Sequence, residues 1–370
     1  MTDAAWETLS NQAVAACGVV YFLALLAHLV EWSSLRNVPA DTARTAAPRA
    51  TAKAAATAKA PATATTGADA GRVAVAAGGT SGAAGADGPG DTPAAVDPDR
   101  TRRVELFGRL GLLLTVIAVG LHFVGLVGRG MAADPNRVPW GNMYEFTLSG
   151  TFIVALLYLV LNRRLGLAWM APIVVGFVLA LLMVAVLWLY DPVAPLTEAL
   201  DSYWLVIHVV SAAIATGAFT LGGICSVVYL VKERRPGPAT GPLARVPEPA
   251  VLDRISYRIH SFGFPVWTFA VLITGPIWAH QAWSSYWNWD PKEVWAFITW
   301  VVYAAYLHAR STAGWKGRNA AILALVGMAT LWFNFIGINY FSSTSQHSYA
   351  GGAHQIGAPV HAGDGSPGRL

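Results

Sequence analysis

The sequence predicts an all-α integral membrane protein with about eight transmembrane helices, both termini outside, and an external tryptophan-rich loop between helices six and seven. Three observations support this fold class. The chain is 55% hydrophobic and only 12% charged, whereas a soluble domain has about 25% charged residues. Several apolar runs approach or exceed the ~20 residues that cross a bilayer as a helix. The basic residues also cluster in alternate connections between these runs.

Eight apolar runs define the predicted spans. They cover residues 12–30, 106–128, 146–161, 168–190, 203–231, 260–280, 293–309 and 319–341. The segments between them alternate in basic content. With the N-terminus outside, the inward segments contain 20 of the 25 Lys and Arg residues, and the outward segments contain four. This asymmetry predicts an N-out, C-out protein of the plasma membrane. It also explains the net charge of +4 without a nucleic-acid partner.

Four regions follow from this pattern. Residues 1–36 are predicted as an N-terminal transmembrane helix. Residues 37–105 are rich in Ala, Gly and Pro with no sustained apolar period, so we expect a disordered cytoplasmic linker. Residues 106–350 form the main transmembrane domain. Residues 351–370 resemble the linker in composition, and we expect a disordered C-terminal tail.

The stretch AHQAWSSYWNWDPKEVWAFITW, residues 279–300, contains five of the 15 tryptophans. Its Asp-Pro-Lys-Glu sequence predicts the start of a helix. Asp290 is a good N-cap, Pro291 suits position N1, and Glu293 at N3 completes a capping box. The seventh span therefore begins at Asp290 through local chemistry alone.

The tryptophans have two explanations. An aromatic belt at the membrane–water interface suits those that fall singly at predicted span ends: Trp140, Trp188, Trp204 and Trp278. A belt explains Trp283, Trp287 and Trp289 poorly, because they crowd with Tyr286 into seven residues of one loop. We interpret this cluster as an apolar platform for a large planar aromatic ligand.

Two histidines fall near the predicted platform. His208 is five residues into the fifth span, ~8 Å below its outer end, and His347 is six residues beyond the eighth span. Neutral imidazoles are the usual axial ligands of haem iron, so two imidazoles and an aromatic platform make a coherent haem site. For each histidine alone, a helix–helix hydrogen bond or an interfacial position is the simpler explanation.

A second site is predicted deeper in the membrane. His308 follows Glu293 by 15 residues, which places it ~22 Å down the seventh span, near the inner leaflet. It cannot share a site with His208. No role follows from the sequence for the four remaining histidines of the spans: His28, His122, His260 and His280.

Several segments resemble the WWD superfamily of haem-handling proteins. AWSSYWNWDPKEVWAFITWVVYAAYLHAR at 282–310 carries the WWD signature, although Ser284 stands where family members often have glycine. Further segments match in the expected order: WGNMYEF at 140–146, SYWLVIHVV at 202–210, FGFPVWTFAVLITGPIWA at 262–279 and FNFIGINYFSSTSQHSYA at 333–350. The best match is the CcsA/ResC type (CcsB in actinobacteria) of System II cytochrome c biogenesis, over roughly residues 106–350.

The resemblance implies a function and a ligand set. His208 and His347 would be the external axial ligands of a transiently bound haem b, and His308 would belong to a transmembrane haem site. The platform would comprise Trp283, Tyr286, Trp287, Trp289, Asp290 and Trp295. Arg129 and Arg137, on the outer side, would be available to pair with the haem propionates.

The same resemblance implies partners. The chain would deliver haem to the extracytoplasmic face and take part in its thioether attachment to apocytochromes c that carry Cys-X-X-Cys-His. A ResB-type membrane protein would complete the cytochrome c synthase, and the sequence does not decide whether this chain alone is an enzyme.

Two other functions remain open at the level of sequence. A haem b electron carrier would need histidine pairs between facing spans and would not need an external tryptophan loop. A transporter would use the aromatic loop as a cage for an organic cation. A transporter should have internal repeats or broken helices.

Overall fold

The computed structural model describes residues 1–34, 98–194, 200–235, 242–312, 315–342 and 345. Most of the predicted linker, the predicted tail and His347 lie outside these residues. Four long helices form the first half of the described chain: α1 (Asp3–Ser34), α2 (Pro98–Met131), α3 (Met143–Leu165) and α4 (Ala171–Trp188). A short 3₁₀ turn, Ala168–Met170, leads directly into α4.

The second half contains two helices that are interrupted by π-helical segments. Its elements are α5 (Tyr203–Glu233), α6 (Pro242–Arg245), α7 (Pro249–Thr268), α8 (Gly275–Trp283), α9 (Pro291–Ser311), α10 (Arg318–Trp332) and α11 (Ile338–Phe341). One π segment, Phe269–Thr274, joins α7 to α8. The other, Phe333–Gly337, joins α10 to α11. Each π segment continues the helix before it into the helix after it, so α7 and α8 form one long helix, and α10 and α11 form another.

Seven of the described helices are long and apolar enough to cross a membrane. They are α1 to α5, the continuous helix Pro249–Trp283 and the continuous helix Arg318–Phe341. The predicted all-α membrane class is therefore confirmed. The seventh predicted span, 293–309, is helical as α9, but α9 is not among the seven helices that are long and apolar enough to cross a membrane. Its Trp, Tyr, His308 and Arg310 side chains make it less apolar than the others.

Local sequence chemistry explains several helix ends. Asn142 caps α3 by accepting a hydrogen bond from the Glu145 backbone N–H at 2.9 Å, and Gly166 ends α3 in the left-handed conformation that glycine adopts readily. Ser202 caps α5 in the same way, through the backbone N–H of Trp204. α2 begins at Pro98, within the range 37–105 that was predicted as a linker.

Helix α1 packs along α2 and also touches α4. The contact with α2 is close because glycines on α2 face α1: the Ser10 hydroxyl donates to the Gly125 carbonyl at 2.7 Å. Small residues allow such close backbone approach between membrane helices. Near the C-terminal end of α1, the buried Glu31 pairs with Arg245 of α6, and His28 lies 3.3 Å from the Glu31 carboxylate. These contacts fix the N-terminal helix against the rest of the bundle.

The two largest apolar cores of the described residues stabilise the bundle. The larger lies between α1, α3 and α4 and contains the buried rings of Tyr21, Tyr158 and Trp169. The smaller lies between α5, α7, α9 and α10, where the Phe219 and Tyr303 rings stack with centroids 3.8 Å apart. Beside these two cores, a space lies among α3, α4, α5, α7, α8, α9 and α10.

Candidate functional site

The tryptophan loop connects α8 to α9 and has two residues in the left-handed backbone region. Ser284 ends α8 at φ 56°, and Trp289 has φ 55°. This conformation favours glycine, which explains physically why a glycine suits the position of Ser284. Asp290 then caps α9 by accepting from the Lys292 backbone N–H at 2.9 Å, and Glu293 accepts from the Asp290 N–H at 3.1 Å. The predicted capping box is present.

A large cavity lies behind this loop. The space between its walls and at its open mouth amounts to about 1220 Å³, part of which is solvent. Its walls are mostly apolar and come from α3, α4, α5, α7, α8, α9, α10, the tryptophan loop and both π segments. The aromatic residues on the walls are Phe146, Phe177, Trp267, Trp278, Tyr286, Trp287, Trp332 and Phe335.

The predicted platform residues occupy different places around this cavity. Tyr286 and Trp287 line it. Trp283 lies behind Trp278, with ring centroids 4.9 Å apart. Trp289 is 73% exposed, and Trp295 packs on Phe333 at 4.2 Å.

Trp278 is one of the four tryptophans that the sequence assigned to an aromatic belt. Instead it lines the cavity and is 2% exposed. A single tryptophan at a helix end gives no sign of which way its ring points, so the sequence had no signal for this role.

His208 projects from α5 into the cavity wall. Its Nδ1 lies 2.9 Å from the carbonyl oxygen of Ala270. Since a carbonyl only accepts, Nδ1 carries the proton and Nε2 carries the lone pair in this tautomer. The ring lies nearly parallel to that of Trp278, at 5.9 Å and 14°. A Cβ at Gly275 would come within 3.2 Å of the imidazole, so glycine makes room for the ring there.

The π segment between α7 and α8 positions the acceptor for His208. Ala270 is the second residue of that segment, and its carbonyl also accepts from the Thr274 hydroxyl at 3.1 Å. A π bulge shifts carbonyls away from regular helical pairing and is frequent at functional sites. The irregular backbone thus fixes the tautomer and the orientation of His208.

Few polar side chains line the cavity. Lys292 and Glu293 lie at its α9 side, and Thr147 and Asn334 face it from α3 and the second π segment. The Thr147 hydroxyl and the Asn334 amide oxygen are buried and have no hydrogen-bond partner among the described residues.

Arg129 and Arg137 both contact the buried Glu145 carboxylate. The Arg129 Nε lies 2.9 Å from Glu145 Oε1, and an Arg137 amino group lies 2.6 Å from Glu145 Oε2. Neither arginine lines the cavity. Their assignment as propionate contacts stays a prediction, and a propionate would have to share them with Glu145.

The other histidines of the described ranges do not line this cavity. His308 is exposed on the surface of α9, near its C-terminal end. His122 is buried against Tyr21 and Phe152. His260 donates from Nδ1 to the Ser256 carbonyl at 2.7 Å. His280 stacks on Tyr286 with ring centroids 4.2 Å apart. Among the described residues, no three His, Cys, Asp or Glu side chains are grouped as a binding site for a bare metal ion.

The last described residue, Ser345, returns the chain to the loop. Its hydroxyl lies 2.8 Å from the Asp290 carboxylate, the cap of α9. His347 follows two residues later, outside the described residues. The residues that line the cavity, the tryptophan loop and Ser345 all lie within residues 140–345, a range that is similar to known proteins.

A family model described as "Cytochrome C assembly protein" matches residues 140–345. The Cytochrome c biogenesis protein CcsA of Mesostigma viride is 32% identical over 273 residues, which cover 66% of this chain and 87% of that protein. Its namesake from Gloeobacter violaceus (strain ATCC 29082 / PCC 7421) is 31% identical over 303 residues, 67% of this chain and 88% of that protein. The chain therefore belongs to the cytochrome c assembly protein family.

Proposed function

We propose that this chain binds haem b in the cavity behind the tryptophan loop and presents it for attachment to apocytochromes c. The observation that supports this most is the placement of His208, whose tautomer is fixed by Ala270 and whose ring lies on the wall of a large aromatic cavity. Cytochrome c assembly is the role that the family and the names of the relatives indicate. A planar macrocycle with an iron centre matches both features.

The chain's residues fit such a ligand by shape and chemistry. Trp278, Tyr286 and Trp287 offer flat apolar surface, and aromatic side chains of this size bury 150–250 Å² each. The Nε2 lone pair of His208 suits an axial position on iron. The haem, when bound, supplies the iron and the vinyl groups to which cysteine thiols add. The protein binds the ring, orients it and excludes water from it.

His347 is proposed as the second external ligand. The Ser345–Asp290 hydrogen bond holds the chain beside the loop, and two further residues extend at most about 7 Å. The proposal that His347 is a ligand rests on this return of the chain to the loop. An incoming Cys-X-X-Cys-His peptide would replace one of the two histidines and bring its thiols to the exposed side of the loop, where Tyr286 and Trp289 are exposed.

His308 is proposed as part of a transmembrane haem site that a partner completes. It lies on an exposed face of α9 together with Phe297, Val301 and Ala305. An ionisable residue seldom faces lipid, and in membrane proteins it usually faces another protein surface or a cavity. A ResB-type membrane subunit that covers this face would shield His308 and supply the remainder of the site.

The proposed location is the plasma membrane, with the tryptophan loop on the extracytoplasmic side. The basic residues of the predicted inward segments support this orientation. A periplasmic reporter fused after residue 349 should be active, and one fused at residue 70 should be inactive. The opposite result at either position would refute the orientation.

Co-expression tests the proposed function directly. A host without its own cytochrome c maturation system receives this chain, a ResB-type partner and an apocytochrome with Cys-X-X-Cys-His. Covalent haem on the cytochrome is the expected product, and omission of this chain should abolish it. A purified chain without a haem spectrum and without covalent cytochrome in the host would refute the proposal.

A further inference from the structure

The cavity wall has one short charged region, in the first turn of α9. Lys292 and Glu293 are the only Lys, Arg, Asp or Glu residues in the described lining, and His208 is its only histidine. The rest of the described lining is apolar or neutral. A charged ligand group that is buried in this cavity would find an opposite charge only near α9 among the described lining, because an unpaired charge is costly to bury.

The Glu293 carboxylate is already committed to the backbone. Its Oε2 accepts from the Asn288 N–H at 2.9 Å and from the Asp290 N–H at 3.1 Å. Those bonds belong to the capping box that begins α9. The Asp290 carboxylate is held in a similar way by the Lys292 N–H at 2.9 Å and the Ser345 hydroxyl at 2.8 Å. Both acids therefore stabilise the loop.

The Lys292 ammonium instead reaches toward a neutral acceptor. Its Nζ donates to the amide oxygen of Asn339 in α11 at 3.0 Å. The Asn339 amide nitrogen donates in turn to the Phe335 carbonyl at 2.5 Å, and Phe335 itself lines the cavity. Asn339 is thus oriented by the Phe335 backbone and fixes the direction of the Lys292 side chain.

We propose that Lys292 is the specificity residue that recognises a carboxylate side chain of the ligand, with Asn339 positioning its ammonium. The inference rests on the proposed function and deepens it, since it concerns which planar macrocycles the cavity accepts. An ammonium–carboxylate hydrogen bond is among the stronger contacts in proteins. The compact charge and flexible stem of lysine also let it follow a carboxylate on a flexible chain. Arg129 and Arg137 are not placed for this role, because both contact Glu145 outside the cavity lining.

The test compares haem with haem dimethyl ester, which has the same ring and no ionised carboxylates. Each is titrated into the purified full-length protein, and binding is followed by the absorption spectrum. The wild type should bind haem about tenfold more tightly than the ester, which corresponds to about 1.4 kcal/mol. Lys292→Met should weaken haem binding to the level of the ester and leave ester binding unchanged. Lys292→Arg should retain part of the preference, and Lys316→Met, at an exposed lysine, should retain all of it.

The outcomes separate this inference from the proposed function. Equal affinity of the wild type for haem and ester, or an unchanged preference in Lys292→Met, overturns the role of Lys292 while haem binding itself stands. An equal loss of both ligands in Lys292→Met also overturns it, since that result indicates a structural role. A wild-type protein that binds neither ligand overturns the proposed function together with this inference.

Discussion

The Nδ1 atom of His208 lies 2.9 Å from the carbonyl oxygen of Ala270. The two residues are on different helices, and the contact depends on a π segment that directs the Ala270 carbonyl toward α5. This hydrogen bond links an irregular backbone to the chemistry of one imidazole, because it leaves the lone pair on Nε2. Four predictions follow from this and related contacts.

Loss of His208 should be repaired by a small ligand, whereas loss of His308 should not. His208→Gly leaves an opening at the cavity wall that added imidazole can enter from water. We expect imidazole to restore part of the haem spectrum and of the covalent cytochrome yield. The same treatment should rescue His308→Gly poorly, since His308 is exposed on α9 away from the cavity. Equal rescue of both variants would contradict separate sites, and normal haem binding by His208→Gly without imidazole would remove it as a ligand.

Trp287 and Trp289 should differ in importance although only one residue separates them. Trp287 lines the cavity, and Trp289 is 73% exposed. Trp287→Ala should lower haem occupancy about tenfold, because it removes flat aromatic surface from the cavity wall, and tenfold corresponds to about 1.4 kcal/mol. Trp289→Ala should change occupancy little. The measurement is haem per purified protein, with membrane abundance as control, and similar losses in both variants would argue against the cavity as the site.

Thr147 and Thr151 line the same cavity but use their hydroxyls differently. The Thr151 hydroxyl donates to the Thr147 carbonyl at 2.8 Å, whereas the buried Thr147 hydroxyl has no partner among the described residues. Thr147→Val removes an unpaired polar group and should raise the melting temperature of the ligand-free protein by an amount that corresponds to about 1 kcal/mol. Thr151→Val should leave the melting temperature unchanged or lower it. A Thr147→Val protein that melts below the Thr151→Val protein would show that the Thr147 hydroxyl is satisfied in the membrane.

Glu145, in the first turn of α3, should be essential for the stability of the folded protein. Its carboxylate pairs with Arg129 and Arg137 and accepts from the Gly141 N–H at 2.8 Å. Glu145→Ala leaves two cations without their acid, which costs about 3–5 kcal/mol for a buried pair. We expect low membrane yield and a lower melting temperature.

The matched control for Glu145 is Glu105→Ala, since Glu105 forms an exposed ion pair with Arg109. Exposed pairs contribute less than about 1 kcal/mol. Full stability of Glu145→Ala would mean that the arginines find another partner and that the buried pairs do not stabilise this end of α3.

Much of the molecule could be predicted from the sequence because membrane spans obey one-dimensional rules. Length and hydropathy alone located the helices, since a bilayer requires about 20 apolar residues in a row. The start of α9 at Asp290 was also predictable, because capping depends on residues within one turn. The order of the matched segments around the tryptophan loop was sufficient to indicate the family.

Only the tertiary structure decided which of these residues share a site. Trp278 and Lys292 line the cavity, while Trp283, Trp289 and Trp295 do not, and the sequence spacing of a loop cannot show this. Arg129 and Arg137 pair with Glu145 because α2 and α3 pack together, a contact that lies far beyond local sequence rules. The orientation of His208 depends on a π segment 62 residues away. Hydropathy sets where helices lie in the membrane, but the direction of each side chain is set by the packing of helices against one another.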